Sequence, residues 1–415
     1  MTLLESRHDE LVPAGLGSAA ASFAREALAF LDANASRRQP QVLAWGRGDE
    51  GLALFHETTG DAERSEVKAA QAWQAQKWAA GFGWLLGPTG LGGRGLDPSF
   101  EQLYRSLEGG FTVPDWSPLR VGLSTVGPGV LASGTTEQAR RFSRAIQQGS
   151  IVACQLFSEP EAGSDLAAVR TRAQRDGDVW RLEGQKVWTS NAQVADIGLA
   201  LVRTDPGAPK HRGLTAFVVP MDQGGVDVRP LRQLTGGASF TEVFLDGAVV
   251  PESHRIGAVG DGWSVALRTL AAERASTGDR SHVLTARALA LLLELAQRSG
   301  VRSDPMQRQR LADVAIRLRV AAYHQQRMQA VPAGSLRGPE RAIDKLMLAD
   351  NLRRIGEVAA ALLGPRLTAD SGAWGTFAWG SWVLGATGYR LGGGSDEVLK
   401  TVLGERLLDL PREPS

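Results

Sequence analysis

Residues 154–190 read CQLFSEPEAGSDLAAVRTRAQRDGDVWRLEGQKVWTS, and the parsing of this stretch organises the chain. A short apolar run ends at Ser158-Glu159-Pro160, where proline cannot continue a strand ladder. Ala162-Gly163-Ser164-Asp165 follows, and Gly163 permits a turn that a residue with a Cβ resists. Hydroxyls at Ser158 and Ser164 and freed amide groups then face a turn able to hold a polar ligand. Asp176-Gly177-Asp178 is a tight-turn signal. The alternating residues after it, Val179 to Glu183 and Gln185 to Ser190, predict a strand or hairpin ending on an aromatic and a hydroxyl.

The paired stretches S-E-P-x-A-G-S-D and G-Q-K-x-W-x-[ST] resemble the flavin-binding signature of the acyl-CoA dehydrogenase family. The resemblance continues through RTDPGAPKHRGLTAFVVPMDQGGVDVRPL and FTEVFLDGAVVP to about residue 274. It resumes at YRLGGGSDEVLKTVLGERLLDLPRE, similar to that family's C-terminal signature. It implies an α+β fold: an N-terminal helical domain over 1–148, a middle β-barrel-like domain over 149–258 and a C-terminal four-helix bundle over 259–415.

Composition bounds the reading independently. The chain has 415 residues, 43% of them hydrophobic, enough for two or three well-cored domains. A net charge of +1 argues against a nucleic-acid surface as the main partner. Cys154 is the single cysteine, which excludes an intrachain disulfide. MTLLESRHDELV has neither the basic start nor the apolar core of a signal peptide. The longest apolar stretch, ALALLLELA, is about half of the ~20 residues a membrane span needs. A cytoplasmic enzyme without membrane, nucleic-acid or metal sites is expected.

Along the chain, helical spacing predicts a helix over 17–34 and another from Glu66 to Trp84, with Trp73, Trp78 and Trp84 on its core face. Residues 35–62 read as loop, and 99–147 as further helices. GLGGRG at 90–95 formally matches a dinucleotide-binding pattern, but no strand precedes it, so a turn is expected. IVACQLF, VWRLEG, IGLALVR, LTAFVVP, VDVRPL and TEVFLDG predict a mostly antiparallel β-domain. From Gly262 the stripe Trp263, Leu267, Leu270, Thr277, Leu284, Ala288, Leu291 and Leu295 marks a long helix, with others near 305–331, 337–364 and 395–408. The tryptophans of WGTFAWGSW at 374–382 read as bundle core or, alternatively, as the wall of a wide acyl pocket.

Dehydrogenation of an acyl thioester needs a base for the α-proton, a flavin for the β-hydride and hydrogen bonds to the developing enolate. In many family members the base is a glutamate just before G-T-S-E-I. Here Gly393 takes that place, Ser395 that of the threonine, and Glu397 that of the usual acidic or amide residue. A second branch, including isovaleryl-CoA and actinobacterial steroid side-chain enzymes, carries the base in L-x-x-E-R on the long helix. This chain has Leu270-Ala271-Ala272-Glu273-Arg274, so the resemblance implies Glu273, against the bland alternative of a surface glutamate beside an arginine.

For FAD, the resemblance assigns Gln155, Phe157 and Ser158 to the isoalloxazine edge and Trp188 and Ser190 to its other side. Gly163 and Ser164 border the flavin and thioester, and Ser395 and Glu397 of the C-terminal signature complete the cofactor set. The second-subunit motifs R-x-x-F-G and Q-x-x-G-G are broken, reading AQRSGVRSDPMQRQRL and AAALLGPRL, with Arg298, Arg302 and Arg308 as candidate phosphate partners. The implied function is oxidation of acyl-CoA to trans-2-enoyl-CoA, with electrons passed to an electron-transfer flavoprotein, in a homotetramer or an α2β2 assembly with a homologous subunit. A partner subunit inactive alone and a flavin monooxygenase on the same fold are the alternatives.

Overall fold

The computed structural model describes residues 17–38, 52, 54–55, 59–301, 303–331, 338–368 and 376–412, with the side chains of 275–283, 329, 338 and 376–378 outside the description. Helix α1, Ser18–Asn34, buries Phe23, Ala24, Ala27, Leu28 and Leu31, the face its helical spacing predicts. A two-residue ladder joins β1, Ser36–Arg37, to β2, Phe111–Thr112. Helix α2, Gly60–Ala79, places Asp61 and Glu63 in its first turn and Lys77 in its last, matching the helix dipole. It starts and stops earlier than the tryptophan spacing suggests. Gly81, with φ +81°, turns the chain, so Trp84 lies beyond the helix. Only Trp73 is buried; Trp78 and Trp84 are half-buried and stack at 6.4 Å.

The glycine-rich loop is a packing turn. Gly92 has φ +94°, and a Cβ there would come within 2.6 Å of the Trp78 ring. Helix α3, Pro98–Glu108, is capped by the Asp97 side chain, which accepts from the Ser99 amide. Helices α4, Gly127–Ser133, α5, Thr136–Gln138, and α6, Arg144–Gln147, complete the N-terminal layer, with π-helical turns at Gly122–Val126 and Ala139–Ser143.

The middle of the chain forms an eight-stranded sheet. Its strands are β3, Ala153–Leu156, β4, Arg172–Asp176, β5, Val179–Ser190, β6, Ile197–Arg203, β7, Leu214–Pro220, β8, Val226–Leu231, β9, Phe240–Pro251, and β10, Arg255–Ile256. The order is β10-β7-β6-β4-β5-β9-β8, with β3 beside β6. Pairings are antiparallel except β3 with β6 and β4 with β6. The β4–β5 hairpin turns through Gly177, whose φ is +63°.

Both faces of the central strands are covered, which is why IGLALVR and LTAFVVP are apolar runs rather than alternations. Leu199, Leu201, Ala216 and Val218 pack with Val126, Val130 and Phe142 of the N-terminal layer. Ala200, Val202, Phe217 and Val219 pack with Leu182, Val243 and Leu245 on the opposite side.

The C-terminal bundle contains α7, Gly262–Arg298, α8, Pro305–Ala330, α9, Arg341–Leu363, and α10, Thr376–Ala386, followed by α11, Asp396–Arg406. Ala288, Leu291 and Leu295 of the expected stripe are buried, with Leu284 packed at the edge. Leu267 is not on that face. It is 43% exposed, because the start of α7 rests on the sheet through Val265 and Ala266. The Thr277 side chain lies outside the described residues. Trp379 and Trp382 are fully buried with rings 5.9 Å apart, and the Trp382 indole donates to the Leu352 carbonyl at 2.9 Å. They are bundle core; Trp374 lies outside the described residues.

Between β1 and α2 the described residues Leu52, Leu54 and Phe55 lie in no helix or strand, as expected, but their burial was not expected. Leu52 and Leu54, within the stretch read as loop, are buried in the core of the C-terminal bundle. The Tyr389 hydroxyl donates to the Leu54 carbonyl at 3.1 Å, and Phe55 stacks on Tyr389 at 5.4 Å.

Candidate active site

The two motif halves are locked together by a buried ion pair. β3 ends at Leu156, the buried Phe157 follows, and Glu159 then turns inward, accepting from the amides of Arg170 at 2.6 Å and Thr171 at 2.8 Å. Lys186 of β5 is fully buried and donates to Glu159 at 2.8 Å, the Phe157 carbonyl at 3.1 Å and the Leu201 carbonyl at 2.6 Å. An ammonium has three protons, and all three are used. Burial alone would raise the Glu159 carboxyl, but Lys186 and the Arg170 and Thr171 contacts outweigh it and hold it below the usual range. Burial draws the Lys186 ammonium down to about 8 despite the attraction of Glu159. The Val187 amide donates to the Ser158 carbonyl at 2.9 Å, so the motifs are also joined through the backbone.

That anchor sets the position of Trp188. The register of β5 against β9 shifts between Lys186 and Thr189, a β-bulge, and Trp188 sits in it with φ +59°. A bulky residue in left-handed backbone costs ~1–3 kcal/mol, and such strain collects at functional sites. The consequence is an indole 62% exposed, braced edge-on by Phe240 at 6.0 Å. Ser190 is half-buried at the end of β5. Asn191, with φ +62°, donates from its side chain to the Pro118 carbonyl at 3.0 Å, fastening this strand end to the N-terminal layer.

Ser158 is half-buried, whereas Gly163 and Ser164 are exposed on the turn closed by the Glu159–Ala162 bridge. A Cβ at Gly163 would meet no atom within 4 Å, so the space before this turn is open. A flat indole offered outward, a hydroxyl beside it and an open turn facing a strand end fit a stacked isoalloxazine ring.

Glu273 lies on α7, two turns past the residues that seat that helix on the sheet. Burial pushes its carboxyl above the usual range, opposed by Arg120, then Arg274, then a hydrogen bond with the Gln155 side chain. Gln155 is therefore drawn to the carboxylate as well as standing at the end of β3. Gly393 has φ +70°, and a Cβ there would lie 3.8 Å from Glu273 Oε1. Its turn is held by Asp396, which binds Lys345 at 3.0 Å and Arg390 at 2.9 Å.

Ser395 and Glu397 stand at the start of α11. The Ser395 hydroxyl accepts from the Val398 amide at 3.3 Å, and Glu397 is exposed, 3.7 Å from Arg390. Of the arginines considered for the pyrophosphate, Arg298 pairs with Glu294 at 2.6 Å and Arg308 is exposed; Arg302 lies outside the described residues. Sequence reasoning missed Arg120. It stands in no motif, and only folding brings it to α7.

The patterns of the acyl-CoA dehydrogenase middle domain and C-terminal domain match residues 154–248 and 260–408. Acyl-CoA dehydrogenase IpdE1 of Mycobacterium tuberculosis is 37% identical over 352 residues, which cover 85% of this chain and 90% of that protein. Acyl-CoA dehydrogenase FadE34 of the same organism is 38% identical over 330 residues, 77% of this chain and 44% of that longer protein. The crystal structure of the ChsE4-ChsE5 complex from Mycobacterium tuberculosis superposes with a TM-score of 0.73 at 24% identity, covering 97% of this chain and 100% of the other. With the layered fold and the 154–190 signature in place, these matches put the chain in the acyl-CoA dehydrogenase family, among the oxidoreductases that act on CH–CH bonds.

Proposed function

We propose that this chain catalyses FAD-dependent α,β-dehydrogenation of an acyl-CoA thioester to the trans-2-enoyl-CoA, with Glu273 as the α-proton base. The observation that carries the reading is the half-buried Glu273, its Oε1 3.8 Å from where a Cβ at Gly393 would lie. Desolvation moves a carboxyl toward the neutral range where base catalysis works best. Bound FAD would supply the hydride acceptor and pass its electrons to an electron-transfer flavoprotein. The chain's own contribution is to hold and orient. Trp188, Ser190, Gln155, Phe157 and Ser158 border the ring, Gly163 and Ser164 leave room for the thioester, and Gln155 fixes the carboxylate.

The domain limits that go with this reading are 1–148, 149–258 and 259–415, and Ser395 and Glu397 serve the cofactor from the rim. The broken R-x-x-F-G and Q-x-x-G-G stretches favour an oligomer in which a homologous chain completes the far end of the cofactor site, α2β2 rather than a homotetramer. Anaerobic mixing of the purified protein with a panel of acyl-CoAs tests the activity. Bleaching of the flavin by one of them is the expected result. A flavin reduced only through an added reductase and then reactive with oxygen would mean a monooxygenase, and a colourless chain would mean a partner subunit.

A further inference from the structure

Arg120 enters the site from outside every motif. It follows the buried Leu119 and precedes the π-helical turn Gly122–Val126. This segment is pinned twice. The Pro118 carbonyl accepts from Asn191 at 3.0 Å, just past Trp188 on β5. Further along, Gly129 lies so close to α7 that a Cβ would come within 2.3 Å of Thr269 Oγ1. Thr269 is one helical turn before Glu273 and shares its face of α7. Arg120 is half-buried, with its Nε sealed from solvent. The segment carrying Arg120 is therefore fastened between the end of β5 and α7, with Val121 and Leu123 packed in one cluster with Leu270 of α7.

We propose that Arg120 is the positioning residue of this site, its guanidinium supplying, across the boundary between the N-terminal layer and α7, the counter-charge that keeps the Glu273 carboxylate ionised and oriented. The inference rests on the reading of Glu273 as the base. Among the described residues two cations act on Glu273, Arg120 and Arg274, and the influence of Arg120 is the larger. Arg274 follows Glu273 directly, and consecutive residues on a helix do not face each other. Gln155 of β3 brings a hydrogen bond without charge. The turn at Gly393 adds none, since Arg390 and Lys345 are both engaged by Asp396, and Glu397 points to Arg390. On α7, Arg268 reaches the Ser133 hydroxyl at 3.4 Å. A buried carboxylate that loses its counter-charge takes up a proton instead of remaining ionised.

Infrared pH-difference titration of the holoenzyme tests this without a substrate. The protonated-carboxyl band of Glu273 is identified by its loss in Glu273→Gln. In Arg120→Met its midpoint is expected to rise by about one to three units, the effect of removing a nearby opposite charge. Arg120→Lys, which keeps the charge, is expected to titrate close to wild type. An unmoved midpoint in a folded Arg120→Met protein overturns the inference, as does an equal shift in both variants, which would mean packing rather than charge. Absence of any band sensitive to Glu273→Gln overturns it too. Failure of the base assignment reads separately: Glu273→Gln would then reduce its flavin with acyl-CoA at the wild-type rate.

Discussion

The side-chain position of Gly393 opens onto Glu273, with the site of a Cβ 3.8 Å from Oε1. A carboxylate carried by α7 thus reaches the place where one hung from the turn before α11 would emerge. The glycine gives Glu273 that space, and its left-handed φ of +70° resists any replacement.

Glu273→Gln preserves size and one acceptor but removes basicity. Flavin reduction by acyl-CoA is expected to slow by ~10²–10⁴-fold while acyl-CoA binding persists. Stopped-flow bleaching reads the first and ligand titration the second. Adding Gly393→Glu is expected to restore only part of the rate, because the backbone there is strained for any side chain. Wild-type bleaching in the single variant would reduce Glu273 to a helix residue.

Trp188→Ala removes the outward indole but keeps the Cβ, so the cost of the left-handed backbone stays. Retained FAD per chain, measured after gel filtration, is expected to fall while the melting temperature holds. Full retention would separate the bulge from cofactor binding.

The Glu159–Lys186 pair makes a pH-dependent contribution of defined sign. The folded-state carboxyl lies below its ordinary value, so the stabilisation is present above the usual glutamate range and is lost as pH falls through the folded value. Lys186→Met leaves a buried carboxylate without its cation and is expected to cost about 3–5 kcal/mol. Glu159→Gln/Lys186→Met should cost less than Lys186→Met alone. Denaturant midpoints across acid pH check both, and an additive double variant would contradict a coupled pair.

Leu54→Ala should destabilise the protein by about 2–5 kcal/mol, as for a buried leucine in a packed core. Leu86, 40% exposed, serves as the control, with Leu86→Ala expected within about 0.5 kcal/mol of wild type. Equal midpoints for the two would show that Leu54 does not hold the bundle.

Much of this was legible in the chain because it depends on local order. The continuous apolar runs marked β6 and β7 at their observed limits, since strands buried on both faces must be apolar throughout, and the alternation of VDVRPL marked the half-exposed β8. The 154–190 signature marked a strand ending on Trp188 and Ser190, though not the bulge that turns Trp188 outward, and helical spacing found α1 and the long α7. Spacing misjudged Leu267 because one helix changes partners along its length, from sheet to bundle, and periodicity records a face without naming what covers it.

Only the tertiary structure decided which distant residues share a volume. Glu159 and Lys186 were visible as letters in two motifs, but their burial as a pair needed the β3 and β5 ends to meet. Arg120 carried no sequence signal, because one arginine in an irregular stretch resembles any surface cation until Asn191 and Thr269 pin its segment. The burial of Leu52 and Leu54 in the bundle core left no sequence signal, because isolated apolar residues in a loop show no period. Local periodicity and turn chemistry are written along the chain; the dielectric and charge around Glu273 arise from three separated segments, so they exist only once the chain has folded.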